Sequence, residues 1–206
     1  MTEDQVFNRL FNILLITAFL MPNLLFAASL NNLINRFENI NTMHAQFTQK
    51  TEIKGFGEDV YKGEIYLINN EKVLWDYNKP YEQYYLFTRN TMEYYDSSTD
   101  QLIRQKVTSS SGNNIVFQLL VDISKIKDSF SIEKIAEDKF RLTPKSDMGL
   151  KYLTMTFGDK YLKKIYSVDK KGNYTEITFE NIRLNVDIPA GVFDKEVPLG
   201  TEIFNY

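Results

Sequence analysis

Leu150-Lys151-Tyr152-Leu153-Thr154-Met155-Thr156-Phe157 reads as a strand with one dry and one wet face, because Leu153, Met155 and Phe157 fall on one side and Tyr152, Thr154 and Thr156 on the other. The same period of two returns further on, where Ile177 and Phe179 oppose Glu176, Thr178 and Glu180, after a turn signal at Lys171-Gly172-Asn173. A chain written in this alternation builds antiparallel sheet packed on one side only.

Working outward, strand texture rich in Tyr, Phe, Ile, Val and Thr covers 45–54, 60–69, 72–77, 82–88, 91–96 and 101–107, then 131–136, 138–144, 150–157, 161–168 and 173–184, with a short run near 201–205. About eleven strands in one domain close, or nearly close, into a curved sheet whose interior is too wide for side chains alone to fill, so a pocket lined by aromatic and aliphatic residues is expected. Two interruptions break the series. Ser29 is a natural N-cap, followed by Leu30, Leu33, Ile34 and Phe37 on one helical face. After the loop signal at Ser109-Ser110-Ser111-Gly112, the run Ile115, Val116, Phe117, Leu119, Leu120, Ile123 and Ile126 predicts a short apolar helix with room for a second. Helices that cap the mouth of the curved sheet would bury both apolar faces.

The stretch from Leu10 to Phe26 is apolar except for Asn12, Thr17 and Asn23, and ends in Pro22 and the small pair Ala27 and Ala28. It reads as a secretory signal peptide over 1–27, leaving 28–206 as a single domain. Pro22 and the polar residues make it a poor bilayer span.

Composition closes off many activities. The chain of 206 residues carries 24 basic and 27 acidic groups, a formal net charge of -3, no Cys and 1 His. No field gathers phosphates, so nucleic acid is excluded as a partner. Without cysteine there is no thiol nucleophile, disulfide or zinc-thiolate site, and one histidine rules out two-His metal motifs and nearly every His-based catalytic set. His44 stands just before the first expected strand and reads as a surface or helix-end residue. No carboxylate pair stands out as a glycosidase pair, and the serine run has no G-x-S-x-G turn. The chain is read as a non-enzyme with no catalytic residue, no metal and no cofactor. The aromatic set Trp75, Tyr77, Tyr84, Tyr85, Tyr94 and Tyr95 is read first as strand packing.

The order of features resembles a known family. Ala45-Gln46-Phe47-Thr48-Gln49-Lys50, Gly63-Glu64-Ile65-Tyr66-Leu67, Lys72-Val73-Leu74-Trp75-Asp76-Tyr77 with Lys79-Pro80, Phe140-Arg141-Leu142-Thr143-Pro144, and Ile188-Pro189-Ala190-Gly191-Val192-Phe193 together resemble the periplasmic outer-membrane lipoprotein carriers, the LolA family. The resemblance implies an unclosed antiparallel β-barrel lidded by short α-helices around an apolar cavity that holds lipoprotein acyl chains. It further implies a periplasmic chaperone that takes acylated lipoproteins from an inner-membrane ATP-driven lipoprotein-releasing complex to an outer-membrane lipoprotein acceptor, acting as a monomer. A lipid-sensing or protein-docking periplasmic binding module of the same fold is the alternative. The sequence departs from the family where an arginine latches the lid, a position that aligns with Asn69 here, and has Val73-Leu74-Trp75 in place of Phe-Arg-Trp.

Parity assigns the candidate cavity residues. Ile65 and Leu67 share a face with Asn69, Val73 pairs with Trp75, and Phe47, Tyr85, Leu153, Met155, Phe157, Ile177 and Phe179 join them; Leu33, Phe37, Val116, Phe117 and Leu120 are the expected lid. A register slip of one residue would turn any strand's assignment inside out.

Overall fold

The computed structural model describes residues 31, 32, 35, 37, 39–106, 126–158 and 161–206. Leu33, Val116, Phe117, Leu120 and the 1–27 segment lie outside the described residues, whereas Asn31, Asn32 and Asn35 are helical.

Twelve strands make one sheet. They are β1 (Thr42–Ile53), β2 (Gly57–Ile68), β3 (Lys72–Lys79), β4 (Gln83–Thr88), β5 (Thr91–Asp96) and β6 (Gln101–Lys106), then β7 (Phe130–Ala136), β8 (Lys139–Pro144), β9 (Leu150–Phe157), β10 (Leu162–Asp169), β11 (Tyr174–Leu184) and β12 (Glu202–Asn205). One helical turn, Ile126–Ser129, precedes β7, and a 3-10 turn, Ala190–Phe193, lies between β11 and β12. The strand order is β12-β6-β5-β4-β3-β2-β1-β11-β10-β9-β8-β7, so among the described residues β12 and β7 are the edges and the sheet is unclosed, as expected.

Two details depart from expectation. The terminal strand runs parallel to β6, Glu202 opposite Gln101 and Asn205 opposite Arg104, so the sheet is antiparallel only up to its last member. A parallel partner needs a crossover, and residues 185–201 supply it. The first strand begins at Thr42, which puts His44 inside β1, opposite Tyr66 on β2 and Arg183 on β11. The alternation Met43, Ala45, Phe47 already extends the strand that far.

Side-chain contacts report how strongly the sheet curls. Trp75 on β3 and Phe179 on β11 have two strands between them, a separation of roughly 14 Å in a flat sheet. Their ring centroids are 5.8 Å apart. Gly63 shows how tight the bend is, since a Cβ there would lie 2.1 Å from the Asp76 carbonyl oxygen and 2.9 Å from Phe47 Cζ. The register shift between Lys62 and Gly63 occurs at this point. Bulges of this kind bend and twist a strand.

Alternation separates two apolar clusters. On the inner face Phe47, Ile65, Val73, Trp75, Phe140, Leu153, Met155, Phe157 and Phe179 belong to one continuous buried core. On the outer face Leu74, Tyr84, Tyr95 and Leu102 pack beneath Phe193, Ile188, Val192 and Val197 of the crossover. Lys195 Nζ lies 2.5 Å from Asp76 Oδ2, and Lys72 Nζ sits 4.5 Å from the Phe193 ring centroid, fastening the crossover to that face.

Candidate functional site

The inner face is ordered in rows that cross the strands, and the rows change character from the Thr42 end of β1 to its Ile53 end. The first row, Met43, Leu67, Val73, Phe87 and Met92, is wholly aliphatic, thioether or phenyl. The second, Ala45, Ile65, Trp75, Tyr85 and Tyr94, brings in the first phenols. The third runs Phe179, Phe47, Gly63, Tyr77, Gln83 and Asp96. The fourth, Ile165, Ile177, Gln49 and Tyr61, and the fifth, Ser167, Thr175, Thr51 and Asp59, complete the change from hydrocarbon to hydroxyl, amide and carboxylate.

The apolar rows are filled by their own side chains. Ile65, Val73, Trp75, Leu153 and Met155 are at 0% exposure. Phe47 lies edge-on to Trp75 at 5.0 Å and to Tyr77 at 4.9 Å, and Phe157 is edge-on to Phe140 at 5.9 Å. Phe37, the one expected lid residue within the described set, is half-buried and meets Phe157 edge-on at 5.6 Å.

The polar rows surround a hollow of about 500 Å³, within the range of ligand pockets. Tyr61, Tyr77, Tyr81, Tyr85 and Tyr94 line it together with Gln49, Thr51, Gln83, Thr175 and Ser167, with Ile53, Ile165 and Ile177 as the apolar part and Asp59 at the rim. Strands β5 and β10 both reach this cavity although five strands separate them, so the curl of the sheet creates it. The phenols are held in place: Tyr77 donates to Gln49 Oε1 at 2.8 Å, Tyr94 donates to Asp96 Oδ2 at 2.8 Å, and the Tyr85 and Tyr94 rings stack at 4.4 Å. Burial pushes the Tyr77 phenol well above its ordinary range, with Tyr85 and Tyr61 adding to the shift. Burial also raises Tyr61, helped by Tyr81, Asp59 and Asp96, and raises Tyr94, helped by its bond to Asp96. Burial of the Asp96 carboxyl works against ionisation, but hydrogen bonds from Ser98, Tyr94 and the Ser98 and Thr99 backbone outweigh it and hold the group below the usual carboxylate range.

All eleven expected cavity residues fall on the inner face, ten buried within one cluster and Tyr85 packed against it. Only Tyr85 and Ile177 line the open hollow. The rest of the tyrosine and amide lining is not among the expected cavity residues, although Tyr61 shares parity with Ile65, and Gln49 and Thr51 with Phe47. Asn69 is the first residue past β2, its backbone N–H donating to the Asn41 carbonyl at 2.8 Å. His44 lies on the outer face, its ring stacked on Tyr66 at 4.4 Å and its Nε2 3.5 Å from Glu64, with Arg183 on its other nitrogen. Its side chain is 16% exposed, within a polar cluster on the outer face of a strand rather than at a helix end. Among the described residues no group of three His, Cys, Asp or Glu side chains is placed to hold a metal ion, and no helix is long and apolar enough to cross a membrane.

The architecture is an open shell of strands, antiparallel up to its last member, with an apolar inner face. Residues 38–196 match the family described as Outer membrane lipoprotein carrier protein LolA, and the chain belongs to that family. It is similar to the outer-membrane lipoprotein carrier protein of Francisella philomiragia, 27% identical over 201 residues that cover 94% of this chain and 96% of that protein. The carrier of Azotobacter vinelandii is 28% identical over 204 residues, 95% of this chain and 98% of that one. Among solved structures, an uncharacterized conserved protein from Thermus thermophilus superposes with a TM-score of 0.54 at 12% identity, covering 85% of this chain and 98% of that chain. MucB does so with 0.53 at 11% identity, covering 86% and 66%. At these identities the structures share the fold.

Proposed function

We infer that this protein is a periplasmic lipoprotein carrier: exported after removal of residues 1–27, it shields the acyl chains of a lipoprotein in its shell and moves them from an inner-membrane ATP-driven releasing complex to an outer-membrane acceptor. The observation that carries the reading is the continuous apolar inner face of a LolA-family chain, with a hollow of about 500 Å³ opening beside it. Each methylene taken from water is worth about 0.8 kcal/mol, so one long chain gains enough to leave water for the shell. Delivery requires that the shell hold the guest less tightly than the acceptor does. Met43, Met92 and Met155 suit that need, because thioether side chains repack at low cost around a changing guest. Leu33, Phe37, Val116, Phe117 and Leu120 serve as the lid, with Asn69 at the position where the family places its latch. No bond is made or broken.

The test is release. Spheroplasts making a labelled triacylated lipoprotein are incubated with the purified protein, and the soluble fraction is examined by native mass spectrometry. The expected result is a one-to-one complex of protein and acylated polypeptide. A clean unliganded mass, under conditions where a control carrier keeps its cargo, overturns the carrier role.

A further inference from the structure

The carrier reading concerns acyl chains, and the tyrosine-lined hollow at the Ile53 end has chemistry of its own. Five phenol rings, Tyr61, Tyr77, Tyr81, Tyr85 and Tyr94, bound a space of about 500 Å³ whose rim carries Asp59. Successive rings meet at an angle, Tyr61 with Tyr77 at 87°, Tyr61 with Tyr81 at 87° and Tyr77 with Tyr85 at 70°, so they form walls of different orientation around one volume rather than a flat stack. A second carboxylate, Asp96, lies on the same face behind Tyr94 and accepts its hydrogen bond. Among the described lining residues there is no Lys, Arg or His.

Ring faces are negative, and a cation among several of them is attracted to each; a carboxylate at the rim adds to the attraction. An anionic head would meet Asp59 with no positive partner in the described lining. A neutral sugar stacks on broad parallel ring faces, whereas these rings mostly meet edge to face. We propose that the hollow is a headgroup site for a positively charged ammonium, so that the cationic end of an amphiphile lies between Tyr61 and Asp59 and its chain lies against Ile53, Ile165 and Ile177, the apolar part of the lining. This rests on the carrier reading for the chain and adds the chemistry of the head. The ammonium has two sources, a lysine following the acylated residue of a cargo peptide or an amine lipid headgroup.

Titration calorimetry below the micelle concentration separates these claims. The probes are dodecyltrimethylammonium, dodecyl sulfate and dodecyl maltoside, which share a chain and differ in head, together with two triacylated lipopeptides bearing Lys-Lys or Glu-Glu after the acylated cysteine. The full chain 28–206 is expected to bind the ammonium amphiphile about tenfold more tightly than the sulfate or the maltoside. In Asp59→Asn, at an exposed rim position, and in Tyr61→Leu, the ratio of ammonium to maltoside affinity falls to about threefold or less. Preference for the lysine lipopeptide identifies cargo as the source; an ammonium preference without it identifies a lipid amine. Equal affinity for the three heads, a stronger maltoside, or an undiminished preference in both variants overturns the headgroup site and leaves the carrier reading standing. Failure of every probe to bind overturns both.

Discussion

The Thr42 half and the Ile53 half of the inner face are built by the same strands, yet one is solid and the other hollow. On β1, Met43, Ala45 and Phe47 are buried, and two residues on from Phe47 the same face carries Gln49 and then Thr51, both lining the cavity. On β4, Phe87 is fully buried and Tyr85 and Gln83 open onto the hollow. Alternation decides which face a residue takes, and the gradient of side-chain type along the strand decides whether that face is filled or left open. Hydrocarbon rows collapse onto one another; phenols, amides and hydroxyls tolerate a wet space between opposite walls.

Raising the pH attacks the raised phenols, those of the hollow half among them, and its effect is the largest expected. The phenols of Tyr61, Tyr77, Tyr85 and Tyr94 are all raised, chiefly by burial. On the outer face burial pushes Tyr84 up to about 12, with Glu93 contributing. In the unfolded chain these phenols ionise near pH 10, so each favours the folded state below that value and its contribution is lost as pH rises toward the folded value. Urea midpoints are expected to be flat at neutral pH and to fall steeply above about pH 10, in step with tyrosinate absorbance. Smooth tyrosine titration with no loss of fold would show that protonation of these phenols contributes little to stability.

Removing a filler from the solid half comes next. Trp75→Ala empties a site at 0% exposure between Phe47 and Phe179 and is expected to cost about 3–5 kcal/mol in urea unfolding. Gly63→Ala tests the bend that separates the halves. Its Cβ would meet backbone at Asp76, which does not yield easily, and about 1–3 kcal/mol is expected to be lost. A neutral Gly63→Ala would mean that the bend at this row is loose.

Much of this was legible in the sequence, and the physical reason marks where legibility stops. Period two at Leu153, Met155 and Phe157 gave the strand and its dry face, and parity put Ile65, Val73, Trp75 and Phe179 on one face with them. Parity carries no information about depth. Whether Trp75 touches a guest or Phe179 depends on the curl of a sheet over four strands, which no local pattern encodes. Of the lining tyrosines only Tyr85 is among the expected cavity residues, because aromatic residues on strands are usually core, and Gln49 and Thr51 are passed over because their polar steps carry no apolar signal. The parallel docking of β12 was equally unreadable, since a run of four residues pairs with whichever edge its crossover reaches.

Tyr77 stands on the boundary and gives the finest comparison. Its ring packs in the solid half against Phe47 at 4.9 Å, while its hydroxyl reaches Gln49 at 2.8 Å on the wall of the hollow. Tyr77→Phe keeps the ring and removes only the donor. Gln49 stays partly exposed and its amide still reaches Thr51 Oγ1 at 3.3 Å, so water can replace the lost partner and the expected cost is about 0.5–1 kcal/mol. A loss of about 2–3 kcal/mol would mean that the Gln49 carbonyl is left unsatisfied in a dry site, since only a buried acceptor without water carries the full desolvation penalty. The size of this smallest effect therefore measures how wet the hollow is: a small loss fits a site that exchanges a polar head with solvent, and a large one would make the Ile53 half an extension of the solid core.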